Sequence, residues 1–522
     1  MTRCTRFLTV TLTLAGAVMP RAAAQAVPRA DLPGPRTLRL TVDARFEWWD
    51  SEFIAGTKTA LGAPLTGDPL LVSPALPDLE RLRGDLGTAG NQPPPLALSL
   101  GVARLSVLAS RRTTPVQIEY GVTRRLAVGV TVPIVRTFVR SSLAFDTAAA
   151  GNLGLNPLLD DPTAVASYNG FFNSFNTAIG NVTADSAAFG CPGSPQCAQF
   201  HAFLADALGV RDALFRSVYG PGQGGGAAFL PVAGTSTATA IDANITRIQN
   251  DLRSTYGDSS FAATFLFPPT AVDGAGFATA LQDSAFGYNQ RPFGDTPRSE
   301  RTWLGDIELV GRFALADGPV WRATVGALWR LPTGHQDSPN DPLDVAAGDG
   351  QADLEADLTQ ELILARRVWL NLAVRGGIQQ PGTRQRRVAP PVAFLVRPQA
   401  VTTLQWDPGD YWAVDFAPLY KLHPQLALGF TVGLAGKGAD RYTYRTPQDS
   451  IDLAARLGAG VPAGHLDGAT AWQRTRVGGA LTYVGPLVET SATAERTVSA
   501  SDGRVPAAWT FRLVVRVVRR LF

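Results

Sequence analysis

In the second half of this 522-residue chain, charged side chains recur at every second position. Asp306, Glu308 and Arg312 form one row, and Arg322, Thr324 and Arg330 a second. Gln351, Asp353, Glu355 and Asp357 form a third, and Asn371 with Arg375 a fourth. Carboxylates and guanidiniums on neighbouring extended segments can pair across strands and fill a narrow interior. They can instead leave a transverse field that orients polar permeants and sets an ion preference. Asp306, Glu308, Arg312, Arg322, Arg330, Asp353, Glu355, Asp357 and Arg375 are therefore the candidate lumen-lining residues, with both roles open. Hydrolytic chemistry has little to work with. The histidines His201, His335, His423 and His465 sit in unrelated segments, and no GxSxG or HExxH pattern frames them. No enzymatic activity and no catalytic residue is expected. Asp341, Asp344 and Asp349 are hard oxygen donors in one loop, but the EF-hand spacing for calcium is missing. Neither a metal nor a cofactor is expected. Cys191 and Cys197 close a Pro/Gly-containing loop, which in an exported chain predicts a disulfide.

The charged rows need strands to position them. Thr37 to Trp48 is the cleanest ladder: Leu38, Leu40, Val42, Ala44, Phe46 and Trp48 point one way. Arg39, Thr41, Asp43, Arg45 and Glu47 point the other. Val116, Ile118, Tyr120 and Val122 alternate with Gln117, Glu119 and Gly121, and a Thr123-Arg124-Arg125 turn follows. Leu126, Val128, Val130, Val132 and Ile134 then resume the alternation. A period of two puts the apolar side chains on one face of each strand. Such runs extend over about 9–14 residues, roughly what a tilted strand needs to cross a bilayer. No later segment has the run of about 18 apolar residues that a membrane-spanning helix needs. Closed barrels satisfy their backbone without one, in keeping with a mean hydropathy of +0.04. Residues 1–26 read as a secretory signal peptide, with Arg3 and Arg6 ahead of an apolar core and Ala24-Gln25-Ala26 as a small-x-small cleavage site. Its removal takes Arg3, Arg6 and Arg21 away, so the 47 basic residues fall to 44 against 44 acidic ones. That balance gives no support to a nucleic-acid partner.

Four regions follow from these patterns: the signal peptide at 1–26, N-terminal barrel strands at 27–146 with a loop at 52–95, an insertion at 147–301, and C-terminal barrel strands at 302–522. Leu96 to Leu108 reads as a strand with a phase slip near Ala103. In the insertion the ladders stop, and Ala198–Val218, Ala238–Tyr256 and Gly276–Phe286 read as helices, the first carrying Phe200, Phe203, Leu204, Ala207, Leu208 and Leu214 at helical spacing. Ladders resume at Trp303 and run in pairs to the end of the chain. Short turns alternate with long connections, which places the insertion on the extracellular side. Twelve strands can be counted from Leu96 onward and the Thr37 ladder would be a thirteenth, whereas such barrels have even numbers. The expectation is an all-β transmembrane antiparallel barrel of about 12–14 strands with a large, partly helical insertion. Trp303, Trp321, Trp329, Trp412 and Trp509 fall near strand ends, as an aromatic girdle requires. In the last strand Trp509, Phe511, Leu513, Val515 and Val517 share a face, and Phe522 has the opposite parity.

Glu119-Tyr120-Gly121-Val122-Thr123-Arg124-Arg125-Leu126, Gly305-Asp306, Pro332-Thr333-Gly334 and Gly348-Asp349-Gly350 occur in that order. In these pieces the chain resembles the outer-membrane barrels known as "MetA-pathway of phenol degradation" proteins, or simply transporters, over roughly 96–140 and 303–375. The resemblance implies a barrel in the bacterial outer membrane that passes small hydrophobic or aromatic compounds, and it supplies no catalytic residues. The partners expected are outer-membrane lipid, the barrel-assembly machinery through the C-terminal strand, and a small-molecule permeant. The alternative is a structural or adhesion barrel with a plugged lumen and a surface-interaction role for the insertion.

Overall fold

The computed structural model describes residues 30–520 except 68–76, 94–95, 147–150, 192–196, 221–225, 292–300, 342, 366, 390–392, 394 and 486–487. The expected signal peptide and Phe522 lie outside the described residues. Twelve antiparallel strands form the wall. They are β1 (Thr37–Trp49), β2 (Val102–Gly121), β3 (Leu126–Asp146), β4 (Glu308–Asp317), β5 (Trp321–Arg330) and β6 (Asp353–Ala365). The remainder are β7 (Val368–Gln379), β8 (Tyr411–His423), β9 (Leu426–Lys437), β10 (Trp472–Val484), β11 (Val488–Asp502) and β12 (Trp509–Arg520). Each pairs with its sequence neighbour, and β1 pairs with β12 from Thr37↔Arg520 to Trp48↔Trp509, so the sheet closes on itself.

The even count resolves the surplus strand. Residues 96–101 are not strand, and the segments read as ending at Leu108 and restarting at Val116 are one 20-residue strand, β2. Arg111-Arg112-Thr113-Thr114-Pro115 looks like an interruption in sequence because charge falls on both parities. It stays extended, since Arg111 turns inward to Glu47 while Arg112 stays outside. The Thr37 ladder is then the twelfth wall strand. Between Leu304 and Glu308 the wall steps by one residue, so that Arg301–Leu304 continues β4 upward along β3.

Alternation sorts the wall into two faces. Leu40, Ile118, Val128, Phe313, Val325, Phe430, Leu481 and Leu513 are exposed on the outside. An apolar band of this extent is a hydrocarbon-facing surface. Trp321 and Trp329, both outward on β5, are eight residues apart, roughly 26 Å along the strand at about 3.3 Å per residue. Trp48, Trp412 and Trp509 join Trp329 at one rim, and Tyr120, Tyr420 and Tyr483 join Trp321 at the other. Trp303 departs from the expected girdle: its ring stacks on His335 with centroids 3.9 Å apart.

Tight turns join the strands at one end and long connections at the other, the extracellular side in barrels of this kind. There the predicted helices form α3 (Cys197–Tyr219), α4 (Ser236–Thr255) and α5 (Gly274–Gln282). Two further helices join them: α1 (Pro77–Ala89), inside the loop expected at 52–95, and α2 (Ala164–Ala188). The composition of α2 disguises it, because Asn, Ser, Thr and Gly are poor helix formers. Its stripe of Tyr168, Phe171, Phe172, Phe175, Ala178, Ile179 and Val182 nevertheless keeps the 3.6-residue period and is buried. Phe171, Phe175, Phe261 and Phe265 pack ring on ring at its centre. The core they form continues onto Leu105, Val107, Ala109 and Val139, the inward residues of β2 and β3 where these strands rise above the membrane. The insertion is therefore a cap seated on the mouth, and it shares one core with α1 and the wall. The sixth helix, α6 (Pro447–Leu457), packs with Trp406, Tyr442 and Val388 in a smaller cluster at the same end. Cys191 and Cys197 are joined as a disulfide at the start of α3, with Cα atoms 5.5 Å apart.

Phe175→Ala should cost the cap about 3–5 kcal/mol and leave the barrel intact. Limited proteolysis should then cut within 150–290 while the heat-modifiable gel migration of the folded barrel persists.

Candidate functional site: the lumen

Across the membrane the inward face of the wall carries mainly polar or small residues, and inside it lies a cavity of about 800 Å³. Its lining is ionic, and most of the ion pairs come straight from strand register. Arg39 stands opposite Glu119 on β2 and donates from Nε at 2.7 Å, with Arg312 of β4 at 3.7 Å from the same carboxylate. Glu47 stands opposite Arg111, 2.9 Å away. Arg330 has Glu308 opposite on one side and Asp353 on the other, at 3.2 and 2.6 Å. Tyr411 donates its hydroxyl to Glu355 at 2.6 Å beside this group. Arg45 and Arg512 face each other across β1 and β12, a like-charged pair that Asp43 bridges. Its two oxygens accept from Arg512 Nε and Nη2 at 2.8 Å each, and Oδ2 also accepts from Arg45 at 2.7 Å. Arg476 reaches Asp415 and Glu495 at 3.1 Å each. The first of these crosses β9 at Gly433, where a Cβ would stand 3.0 Å from the guanidinium.

Of the residues singled out from sequence, Asp306, Glu308, Arg312, Arg330, Glu355, Asp357 and Arg375 lie on the cavity lining. Asp353 points inward but is covered by Arg330. Arg322 sits lower, 3.6 Å from Glu361. Asp306 also has a structural task. It accepts the Gly334 N–H at 2.7 Å, while Thr333 Oγ1 donates to Gly305 O at 3.0 Å. The Gly305-Asp306 and Pro332-Thr333-Gly334 pieces therefore fold onto each other as a clasp for the 331–352 loop. Arg39, Asp43, Arg45, Glu47, Arg111, Glu119, Asp415, Arg474, Arg476, Glu495 and Arg512 line the cavity too and were not on the sequence-derived list. The same alternation of parity would have found all of them but Arg111, where charge falls on both parities. Asp344 bonds His335 Nε2 at 3.3 Å and Asp341 lies 3.5 Å from Arg291, so these two loop carboxylates have partners of their own. The four histidines sit on α3, in two of the long connections and in a turn at the opposite end of the barrel.

Chain segments reach across the lumen at both ends, the 30–36 segment at one and the 331–352 loop, whose Ala346, Ala347, Gly348 and Asp349 line the cavity, at the other. Near the tight turns, residues 30–36 cross from β2 to β5 and β6. Pro33 and Gly34 carbonyls lie so close to Gly121 that a Cβ there would meet them at 2.4 and 2.1 Å. Arg39 donates to Asp31 O at 2.9 Å. At the far side Ala30, 2% exposed, donates its N–H to Glu361 Oε1 at 3.1 Å and accepts from the Thr324 hydroxyl. At the other end the cap is tied to neighbouring loops by two arginines. Arg397 bonds Asp78 of α1 at 2.6 Å. Arg387 donates to Tyr288 O, Asn289 O and Pro339 O at 2.7, 3.0 and 2.8 Å. Burial pushes Arg387 down to about 10, so it remains a cation at neutral pH. Arg384 and Arg386 clamp Asp337 of the 331–352 loop, with Arg386 at 2.8 Å. Burial by itself would raise that carboxyl, but the two guanidiniums outweigh it and hold it below the usual aspartate range.

No family model and no curated protein matches the chain. Among solved structures it resembles an outer membrane channel from Pseudomonas putida F1, with 8% identity and a TM-score of 0.40 over 95% of this chain and 100% of the other. A FadL homologue from Pseudomonas aeruginosa aligns over 92% and 90% of the two chains, with 9% identity and a TM-score of 0.28. The Pseudomonas putida toluene transporter TodX aligns over 93% and 89%, with 10% identity and a TM-score of 0.27. Likeness at this level does not bear on what enters the lumen.

Asp43→Asn should leave Arg45 and Arg512 without their shared carboxylate. The expected loss is about 2–3 kcal/mol in urea unfolding, toward the low side for a buried pair because Arg45 is half exposed. The Asp337 clamp should depend on acid. A carboxyl held low contributes fully above its unfolded value of about 4 and loses that contribution as pH falls through its folded value. The 331–352 loop should therefore grow more sensitive to pepsin as pH falls below about 4, whereas Asp337→Asn should be cut readily throughout that range.

Proposed function

We propose that this protein is an outer-membrane channel for small compounds, at rest with chain segments reaching across both ends of its lumen. One observation carries the reading: a cavity of about 800 Å³, sized for a small organic molecule, lies inside a membrane-spanning barrel and is lined by its inward-facing side chains. A barrel that was only a scaffold would gain by filling that space with side chains. Lumen charges that already pair with one another cost little to keep ionised and still present a patterned field to a permeant. Aromatic compounds suit such a lining, because guanidinium planes stack on π-faces as well as pairing with acids. The motif resemblance to barrels of the phenol-degradation pathway points to the same class of small hydrophobic or aromatic permeant. Strand β12, which seals the barrel against β1, is the segment the assembly machinery would engage.

The segments across the two ends also favour a second reading, a plugged barrel whose cap serves surface interactions. Planar-bilayer recordings separate the two. The chain from residue 27 should show rare or small conductance steps, and deletion of 27–36 should enlarge them several-fold. Deletion of 150–300 should do the same from the other side. Silence from all three proteins, each verified as folded by heat-modifiable migration, would rule out the channel and leave the surface role.

A further inference from the structure

Most of the arginines on the cavity lining have a carboxylate partner. Arg39, Arg45, Arg111, Arg330, Arg375, Arg476 and Arg512 each have a carboxylate within ion-pair distance. Arg474, on β10 and on the cavity lining, makes no ion pair among the described residues. Its Nε is buried without a hydrogen-bond partner, and Trp472 lies beneath the guanidinium at 5.1 Å. The charged groups around it are Arg476, Arg111, Arg375 and Glu47. Their carboxylates are already engaged: Glu47 with Arg111, and Asp415 and Glu495 with Arg476. The register adds a second feature. Arg375, Ala413, Ala435 and Arg474 stand side by side across β7, β8, β9 and β10. Two alanines thus separate two arginines whose Cα atoms are about 14 Å apart at roughly 4.8 Å per strand. In that row only the two alanines stand between them; Asp415, two residues along β8 from Ala413, reaches Arg375 and Arg476.

Resting on the channel reading above, we infer that Arg474, with Arg375 facing it along the same row, is an anion station in the lumen that binds the carboxylate of a small organic acid. An unpaired guanidinium in a partly desolvated space is costly to keep, and a carboxylate satisfies its planar fork with two parallel hydrogen bonds. The cavity leaves room for the rest of a molecule of benzoate size. The permeant class is then narrower than hydrophobic compounds in general: it is small acids, including aromatic ones.

The test titrates the folded chain from residue 27, in detergent micelles at low salt, with sodium benzoate and with benzyl alcohol as the neutral counterpart. Benzoate should bind measurably more tightly than the alcohol. Arg474→Gln should weaken benzoate about tenfold or more, and Arg474→Lys, which keeps the charge and loses the fork, should fall between. Each variant is first verified as folded by heat-modifiable migration. Equal affinity for the two probes, or benzoate binding unchanged in Arg474→Gln, overturns the station. Displacement of benzoate by inorganic phosphate at lower concentration overturns the carboxylate assignment. Bilayer recordings keep the two readings apart. Conductance steps without benzoate binding remove the station and leave the channel. Benzoate binding lost in Arg474→Gln, with no conductance in any deletion variant, keeps the station and removes the channel.

Discussion

In hydrocarbon every backbone N–H and C=O has to find its partner inside the protein, and this chain meets that condition where β1 pairs with β12. Without that seam the sheet would carry two open edges into lipid. With it, inside and outside become distinct, and each strand has one parity for lipid and one for the lumen. The positions of the charges, the girdles and the segments across the two ends all follow from that single topological fact. The chain devotes its first strand to the seam, and the 30–36 segment just ahead of it turns into the lumen rather than away from it.

Closure also explains why the lumen is ionic. Polar residues with inward parity cannot leave, and in a twelve-stranded ring they are near enough to meet. Register then does most of the pairing. Arg330 lies between Glu308 and Asp353, and Arg39 lies opposite Glu119, without any long reach. Pairs of this kind add little net stability once desolvation is counted. They let a charged lining persist in a confined space, and an uncompensated arginine such as Arg474 therefore stands out against them.

The cap depends on the same wall by a different route. β2 and β3 run to 20 and 21 residues, longer than a membrane crossing needs. Above the bilayer their inward faces change from charged to apolar, at Leu105, Val107, Ala109 and Val139. That change of composition is what seats the helices. The cap shares its core with the wall and with α1, so it belongs to the mouth of the barrel and is not an appended domain.

Much of this was legible in the sequence, because alternation is a local property. The ladder from Leu38 to Trp48, the hairpin around Thr123-Arg124-Arg125 and the inward rows from Asp306 to Arg375 need nothing beyond a period of two. The helical stripe of α3 and the disulfide between Cys191 and Cys197 are local in the same sense. The continuity of β2 through Arg111 and Arg112 was hidden, since the charge on both parities there makes sense only once Glu47 stands opposite. The helix α2 was hidden by residues with weak helix propensity whose order comes from burial. The sequence by itself therefore determined a membrane barrel, the parity of its lumen and the presence of helices in the insertion. Tertiary structure alone decided the strand count, the segments that reach across the two ends and the absence of an ion pair at Arg474. Those depend on contacts between residues hundreds of positions apart, and no local periodicity carries that information.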